Sequence, residues 1–157
     1  MELTTALREQ FGNRFHADES MRLHTNFRIG GPARWYVEAR TPEEVTDAVC
    51  AADEAGVPWF VLGGGSNTLV ADAGFDGLVI QIAMRDIHMN GTTVTAGAGA
   101  ITAAVSRAAA EAGCVGLEWA ASVPGTIGGA VRGNAGCFGG EMKDVTQDVR
   151  VLRMEHG

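Results

Sequence analysis

The sequence predicts an α+β protein built as two lobes, and three observations carry that prediction. The first half reads strand, helix, strand, loop, strand; an Asn-Gly hairpin signal opens a second series near Met84; and each half holds one dense glycine cluster, Gly63–Asn67 and Ser122–Glu141. At 157 residues the chain can bury a real core, since about 150 residues hide roughly 70% of their unfolded surface. The expected division is residues 1–83 and 84–157.

Leu3, Leu7 and Phe11 recur every fourth residue before Gly12, which predicts a short amphipathic N-terminal helix. A polar turn-rich stretch, His24 to Pro32, then leads to a strand over Arg34–Ala39. Thr41 opens a helix as N-cap, with Pro42 at the first helical position and Glu44 placed for a capping box. Val45, Ala48, Val49 and Ala52 share one face of it, and Gly56 ends it. Trp59–Leu62 reads as a strand that cannot easily be exposed. After the glycine loop, Gly74-Phe75-Asp76-Gly77 is expected to turn into a strand over Leu78–Ile82, in keeping with a right-handed βαβ crossover.

In the second half, Asn90-Gly91 between Ile87–Met89 and Thr92–Ala96 predicts a hairpin. Thr102 is expected to cap a helix through Val105, Ala108, Ala109 and Ala112 to Gly113. The stretch from Leu117 to Glu141 is glycine-rich, yet Trp119, Val123, Ile127, Val131 and Phe138 predict order and burial. Val145–Met154 is expected to form a strand and Glu155-His156-Gly157 the start of a turn, so that a hairpin partner is called for beyond.

Composition narrows the function. A net charge of −7 without clustered Lys and Arg argues against a nucleic-acid backbone and leaves a small ligand. Cys50, Cys114 and Cys137 are odd in number and widely spaced, and His16, His24, His88 and His156 show no ligand spacing, so neither a disulfide framework nor a metal site is expected. No apolar run approaches the roughly 20 residues of a membrane span, and a cytoplasmic location is the expectation.

The glycine clusters carry the chemistry. Gly63, Gly64 and Gly65 present bare backbone amides that can converge on an anion, with Ser66 and Asn67 at the rim, a geometry equally open to a tight turn or a phosphate nest. Thr68 stands where a dinucleotide fingerprint needs its third glycine, and no Gly-Lys-Ser/Thr follows. The second cluster lets a flat or bulky ligand approach the backbone, with Ser122, Thr126 and Asn134 as hydrogen-bonding groups; tight helix-on-sheet packing is the alternative.

T-N-F-R-I-G-G-P-A from Thr25, L-G-G-G-S-N-T-L-V from Leu62 and V-P-G-T-I-G-G-A from Val123, followed by G-N-A-G-C-F-G-G-E, resemble the UDP-N-acetylenolpyruvoylglucosamine reductase family, also called UDP-N-acetylmuramate dehydrogenase. The resemblance covers most of residues 24–144. It implies a two-subdomain FAD-binding domain of the vanillyl-alcohol-oxidase (PCMH) type, with FAD held non-covalently between the lobes. It further implies NADPH as co-substrate, a nucleotide-sugar substrate and a cytoplasmic step of peptidoglycan precursor synthesis, with the protein placing and tuning the cofactor. Carried onto matching positions, it implies pyrophosphate contacts at Gly63, Gly64, Gly65, Ser66 and Asn67. Flavin and ribityl contacts fall on Ser122, Pro124, Gly125, Thr126, Gly128, Gly129 and Asn134.

One part of the pattern is missing. The family's catalytic arginine sits in a Tyr-Arg-x-Ser motif, and the only tyrosine here, Tyr36, is followed by Val37. No catalytic residue is therefore expected in this chain, the substrate domain is expected to be absent, and a stand-alone non-catalytic flavin- or nucleotide-binding module is the alternative function. A different oxidase of the same flavoprotein superfamily is disfavoured by the P-G-T-I-G-G-A run. Glu118 and Glu141 read as solvated or loop-capping carboxylates rather than an acid–base pair, and Cys137 as a packed free thiol.

Overall fold

The computed structural model describes residues 2–154, so the turn expected at Glu155-His156-Gly157 lies outside the described residues. Helix α1 (Leu3–Phe11) leads to strand β1 (Phe15–Ser20), then β2 (Pro32–Ala39), α2 (Pro42–Glu54), β3 (Trp59–Leu62) and β4 (Phe75–Ile82). The strands form one sheet in the order β1-β2-β4-β3, with β1 antiparallel to β2 and the other pairs parallel. Because α2 carries the chain from β2 over to β3, β4 slots between them, and the parallel strands end together beside the Gly63 loop.

Helices α1 and α2 cover one face of this sheet. Leu3, Leu7 and Phe11 from α1 and Ala48, Val49 and Ala52 from α2 pack on Trp35, Val37, Ala39, Leu78, Ile80 and Ile82. Trp35 Nε1 donates to Thr4 Oγ1 at 3.0 Å, tying the sheet to α1. Thr41 caps α2 as expected, its Oγ1 accepting from Glu44 N at 3.2 Å. The return half of the capping box is displaced by one residue: Glu44 accepts from Arg40 N at 2.7 Å and spends its carboxylate on Arg14, at 2.6 and 2.7 Å. Gly56, at φ +64, ends α2 with the paired bonds from Gly56 N to Asp53 O and Val57 N to Ala52 O of a Schellman turn.

The other face is thinly covered, by Met21, Val70 and Phe75 over Ala33, Tyr36, Leu62 and Val79. This corrects the expectation for Trp59–Leu62: β3 is an edge strand, and Phe60 and Val61 are 45% and 43% exposed. β4 also starts earlier than expected. Phe75-Asp76-Gly77 belongs to the strand as an irregularity opposite Ala33–Trp35, which fits one extra residue into the ladder. Strand β1 was not foreseen, since His16, Ala17 and Asp18 are exposed and give no apolar alternation.

The second half opens on the predicted hairpin, β5 (Ile87–Asn90) and β6 (Thr93–Ala96). Asn90 pairs with Thr93, so the turn residues are Gly91, at φ +60, and Thr92 rather than Asn90-Gly91. Helix α3 (Thr102–Glu111) ends at Gly113 as expected, but Ile101 is its N-cap and Thr102 its first residue. The Leu117–Glu141 stretch is ordered as a 3-10 turn at Glu118–Ser122, α4 (Ile127–Arg132) and the ribbon β7 (Gly136–Cys137) with β8 (Gly140–Glu141), followed by α5 (Met142–Val145). Its burial is less than predicted: Ala120, Thr126 and Ala130 are buried, while Phe138 stands 89% exposed. The strand expected over Val145–Met154 does not form. No described strand offers it a ladder, and Val149, Val151 and Leu152 are left exposed.

Candidate functional site

Three backbone segments meet where β3 ends. The chain leaves Leu62 into Gly63-Gly64-Gly65, and Gly65, at φ +64, lies so close to the His24 carbonyl that any Cβ would overlap it. Asn26 N donates to Gly65 O at 3.1 Å and locks the Thr25–Arg28 turn onto the glycine loop. Among the described residues no backbone N–H from Gly63 to Asn67 donates a hydrogen bond within the protein. Five consecutive amides are thus left for water or a ligand, the condition of an anion nest.

The second cluster is clipped to the segment before α3. Thr102 N and Oγ1 both donate to Gly125 O, at 3.1 and 3.3 Å, Ile127 N donates to Ala100 O at 2.9 Å, and Gly128 N to Ala98 O at 2.8 Å. This places Pro124–Thr126 directly against the glycine loop. A Cβ on Gly63 would come within 2.5 Å of Thr126 Oγ1, one on Gly64 within 2.9 Å of Gly125 Cα, and one on Gly125 within 2.6 Å of Ser66 Oγ. Ser66 Oγ donates across the seam to Pro124 O at 3.2 Å. Thr126 Oγ1 is buried and has no hydrogen-bond partner among the described residues, an expensive state for a hydroxyl.

The structure brings Gly63, Gly64, Gly65, Ser66, Pro124, Gly125 and Thr126 together. Gly128 packs on Ala98, Asn67 and Gly129 are exposed nearby in sequence, and Ser122 turns its hydroxyl to Trp119 O at 3.2 Å and to the Cys137 thiol at 3.7 Å. Asn134 is spent locally: its Nδ2 donates to Glu141 Oε2 and its Oδ1 accepts from Lys143 N, both at 2.9 Å. Glu118 and Glu141 each serve their own loop, Glu118 accepting from Gly116 N and Glu141 pairing with Lys143 and capping α5, which agrees with the loop-capping expectation. Cys137 is a free thiol.

Sequence reasoning missed the floor beside the glycine loop. A cavity of about 570 Å3 is lined by Gly63 and Gly64 together with His24, Tyr36, Gln81 and neighbouring charged residues. Gln81 Nε2 donates to Gly63 O at 2.5 Å, Tyr36 Oη donates to Gln81 Oε1 at 3.4 Å, and the His24 ring lies 4.4 Å from the Tyr36 ring with Nε2 2.8 Å from Glu19. Burial first, then the charges of Glu38 and Glu19, push the Tyr36 phenol well above its usual range, with Arg85 opposing; Tyr36 stays a neutral donor. The available signal was Gln81, a polar residue inside the apolar run Leu78–Ile82. No cluster of His, Cys, Asp or Glu that could hold a metal occurs among the described residues, and no described helix is long and apolar enough to cross a membrane.

The FAD binding domain family matches residues 33–157. The chain belongs to this FAD binding domain family. It is 40% identical over 140 residues to the UDP-N-acetylenolpyruvoylglucosamine reductase of Clostridioides difficile, covering 88% of this chain and 46% of that one. It is 46% identical over 149 residues to the reductase of the same name from Agathobacter rectalis, covering 86% and 47%. The solved UDP-N-acetylenolpyruvylglucosamine reductase of Thermus caldophilus superimposes with a TM-score of 0.66 at 34% identity, over 83% of this chain and 45% of that one. The chain spans about half the length of the curated relatives it matches. p-Cresol methylhydroxylase, at 13% identity and a TM-score of 0.55 over 70% of this chain and 24% of that one, shares the fold alone. The architecture is therefore the α+β FAD-binding fold of the vanillyl-alcohol-oxidase (PCMH) type, as the resemblance implies.

Proposed function

We propose that this chain is the FAD-holding part of a UDP-N-acetylenolpyruvoylglucosamine reductase acting in the cytoplasm on peptidoglycan precursors. The observation that carries the reading is the meeting of the two glycine clusters: the Gly63–Asn67 amides donate to no protein acceptor among the described residues, their loop packs against Gly125-Thr126, and Thr126 Oγ1 is left without a partner. These groups fit a phosphorylated flavin. The amides suit its phosphate oxygens, the glycines admit close approach, and the orphan hydroxyl can bond to a polar edge. In this reading the group supplies hydride chemistry, from NADPH to the enolpyruvyl double bond of the nucleotide-sugar substrate, giving UDP-N-acetylmuramate. Gln81 and Tyr36 hold the Gly63 carbonyl and so orient the amides that follow it.

A non-catalytic flavin-binding module is the second reading. Both readings expect the chain to turn yellow with FAD. Anaerobic addition of NADPH and then the enolpyruvyl substrate separates them from full catalysis: residues 1–157 alone are expected to give no appreciable substrate reduction. Normal turnover would show that these residues do deliver the proton.

A further inference from the structure

At the tip of the β5–β6 hairpin, Asn90 precedes Gly91, and the structure leaves both partners of a backbone cyclisation unheld there. Of the five asparagines, only Asn90 is followed by glycine; Asn13, Asn26, Asn67 and Asn134 precede Arg14, Phe27, Thr68 and Ala135. The difference matters because a side chain on the following residue crowds its amide nitrogen, and glycine has none. Asn90, Gly91 and Thr92 are all exposed, and nothing lies within 4 Å of where a Cβ on Gly91 would stand. Gly91 N donates no hydrogen bond among the described residues. The side-chain hydrogen bond at the tip runs instead from Cys114 Sγ to Gly91 O, at 3.7 Å, which leaves the Asn90 amide free. Asn134 is the contrast within the same chain: its Nδ2 donates to Glu141 Oε2 and its Oδ1 accepts from Lys143 N, so its amide is held at both ends. The hairpin also gives the two groups room to meet. Strands β5 and β6 pair only with each other, over four residues each, and Asn90–Thr93 is the last pair before the turn. A two-stranded ribbon is marginally stable by itself, and its end pair frays first.

We propose that Asn90 is a site of covalent self-modification, deamidating through a cyclic imide with Gly91 to give aspartyl and isoaspartyl chains. Gly91 N gives up its proton and attacks Asn90 Cγ. As the N–Cγ bond forms, the Cγ–Nδ2 bond breaks, and Nδ2 takes up that proton by way of water and leaves as ammonia. Water then opens the imide. Breaking the N–Cγ bond yields aspartate, while breaking the bond from the same nitrogen to the Asn90 main-chain carbonyl carbon yields isoaspartate. No oxidant, metal or cofactor enters, so the inference is independent of flavin binding. Either product adds a negative charge to a chain of net −7. The isoaspartyl product also routes the main chain through the Asn90 side chain, displacing the turn that sets the Asn90–Thr93 register and that Cys114 touches. It leaves a free α-carboxylate beside the turn, the group that isoaspartyl methyltransferases esterify.

The test incubates the purified full chain and its Asn90→Gln variant at neutral pH over weeks, folded and in urea, and maps the peptides by mass. Asn90→Gln keeps the amide but lengthens the side chain and so disfavours the imide; melting curves check that it folds. In the folded parent, the Asn90 peptide is expected to gain about 1 Da and to separate into distinct chromatographic forms. One form should accept a labelled methyl group from S-adenosylmethionine and an isoaspartyl methyltransferase, and the Asn90→Gln chain should lose most of that label. The peptides holding Asn13, Asn26, Asn67 and Asn134 should keep their mass over the same period. An Asn90 peptide that keeps its mass in the folded chain, whatever happens in urea, overturns the proposal. So does an Asn134 that reacts as fast as Asn90, or an Asn90→Gln chain that takes up as much methyl as the parent. Should the variant fail to fold, the comparison of Asn90 with Asn134 in the parent decides alone.

Discussion

Replacing Gly63 by alanine probes the contact between the two glycine clusters. Gly63 is not in the left-handed region, so the substitution carries no strained-φ penalty, and its cost comes from a new Cβ 2.5 Å from Thr126 Oγ1. Carbon-to-oxygen contacts begin near 3.4 Å, so the two loops must part by about 0.9 Å, an overpacking worth about 1–3 kcal/mol. The next atoms, Gly129 N and Thr126 Cβ, lie 3.9 Å away. Alanine therefore fits once Oγ1 is gone, and Gly63→Ala with Thr126→Ala is expected to regain about 1 kcal/mol or more relative to additive behaviour. Thr126→Ala alone should be close to neutral, because it removes an unsatisfied hydroxyl along with a methyl group. Urea unfolding of the four proteins, at constant slope, measures the cycle. Additive effects, or a Gly63→Ala protein as stable as the parent, would show that the loops do not touch.

Three further outcomes follow from the same geometry. Gly56→Ala and Gly65→Ala start from the same φ of +64, but Gly56 faces open space while Gly65 abuts the His24 carbonyl; thermal melts should show about 1–2 kcal/mol lost at Gly56 and clearly more at Gly65. Thr126→Val should leave the stability of the ligand-free protein unchanged or raised and weaken FAD about fivefold to tenfold in a fluorescence titration; equal affinity would mean that the hydroxyl does not face the cofactor. The hydrogen bond from Arg14 holds the Glu44 carboxyl at about 2, below its ordinary 4.5. A lowered folded value stabilises above the unfolded value and loses that contribution as pH falls from about 4.5 through about 2. Partial exposure reduces the effect to about 1–2 kcal/mol, and Arg14→Met should flatten the stability profile across that interval.

Much of the fold was legible because local chemistry and tertiary demand agree. The Thr41-Pro42 start and the Gly56 stop of α2 state its limits in the chain itself, and Leu3, Leu7 and Phe11 are the residues that α1 buries. Strand β1 was illegible because its register comes from β2: an edge strand with exposed His16 and Asp18 carries no apolar period of its own. The opposite error occurred at Val149 and Val151, where a strand-like alternation meets no ladder and stays irregular. At the site, glycine was the readable signal, and Gly64 and Gly125 do face each other across the seam. The cavity wall was not readable, since His24, Tyr36, Gln81 and Arg85 converge only through the β2–β4 pairing, and Gln81 alone breaks an apolar pattern.

Titrating FAD into the purified, flavin-free chain tests the central claim most directly. Saturable binding with a shifted flavin absorbance, weakened by Gly63→Ala, is the predicted result. A chain that folds cooperatively yet leaves FAD free in solution at every concentration would contradict the account.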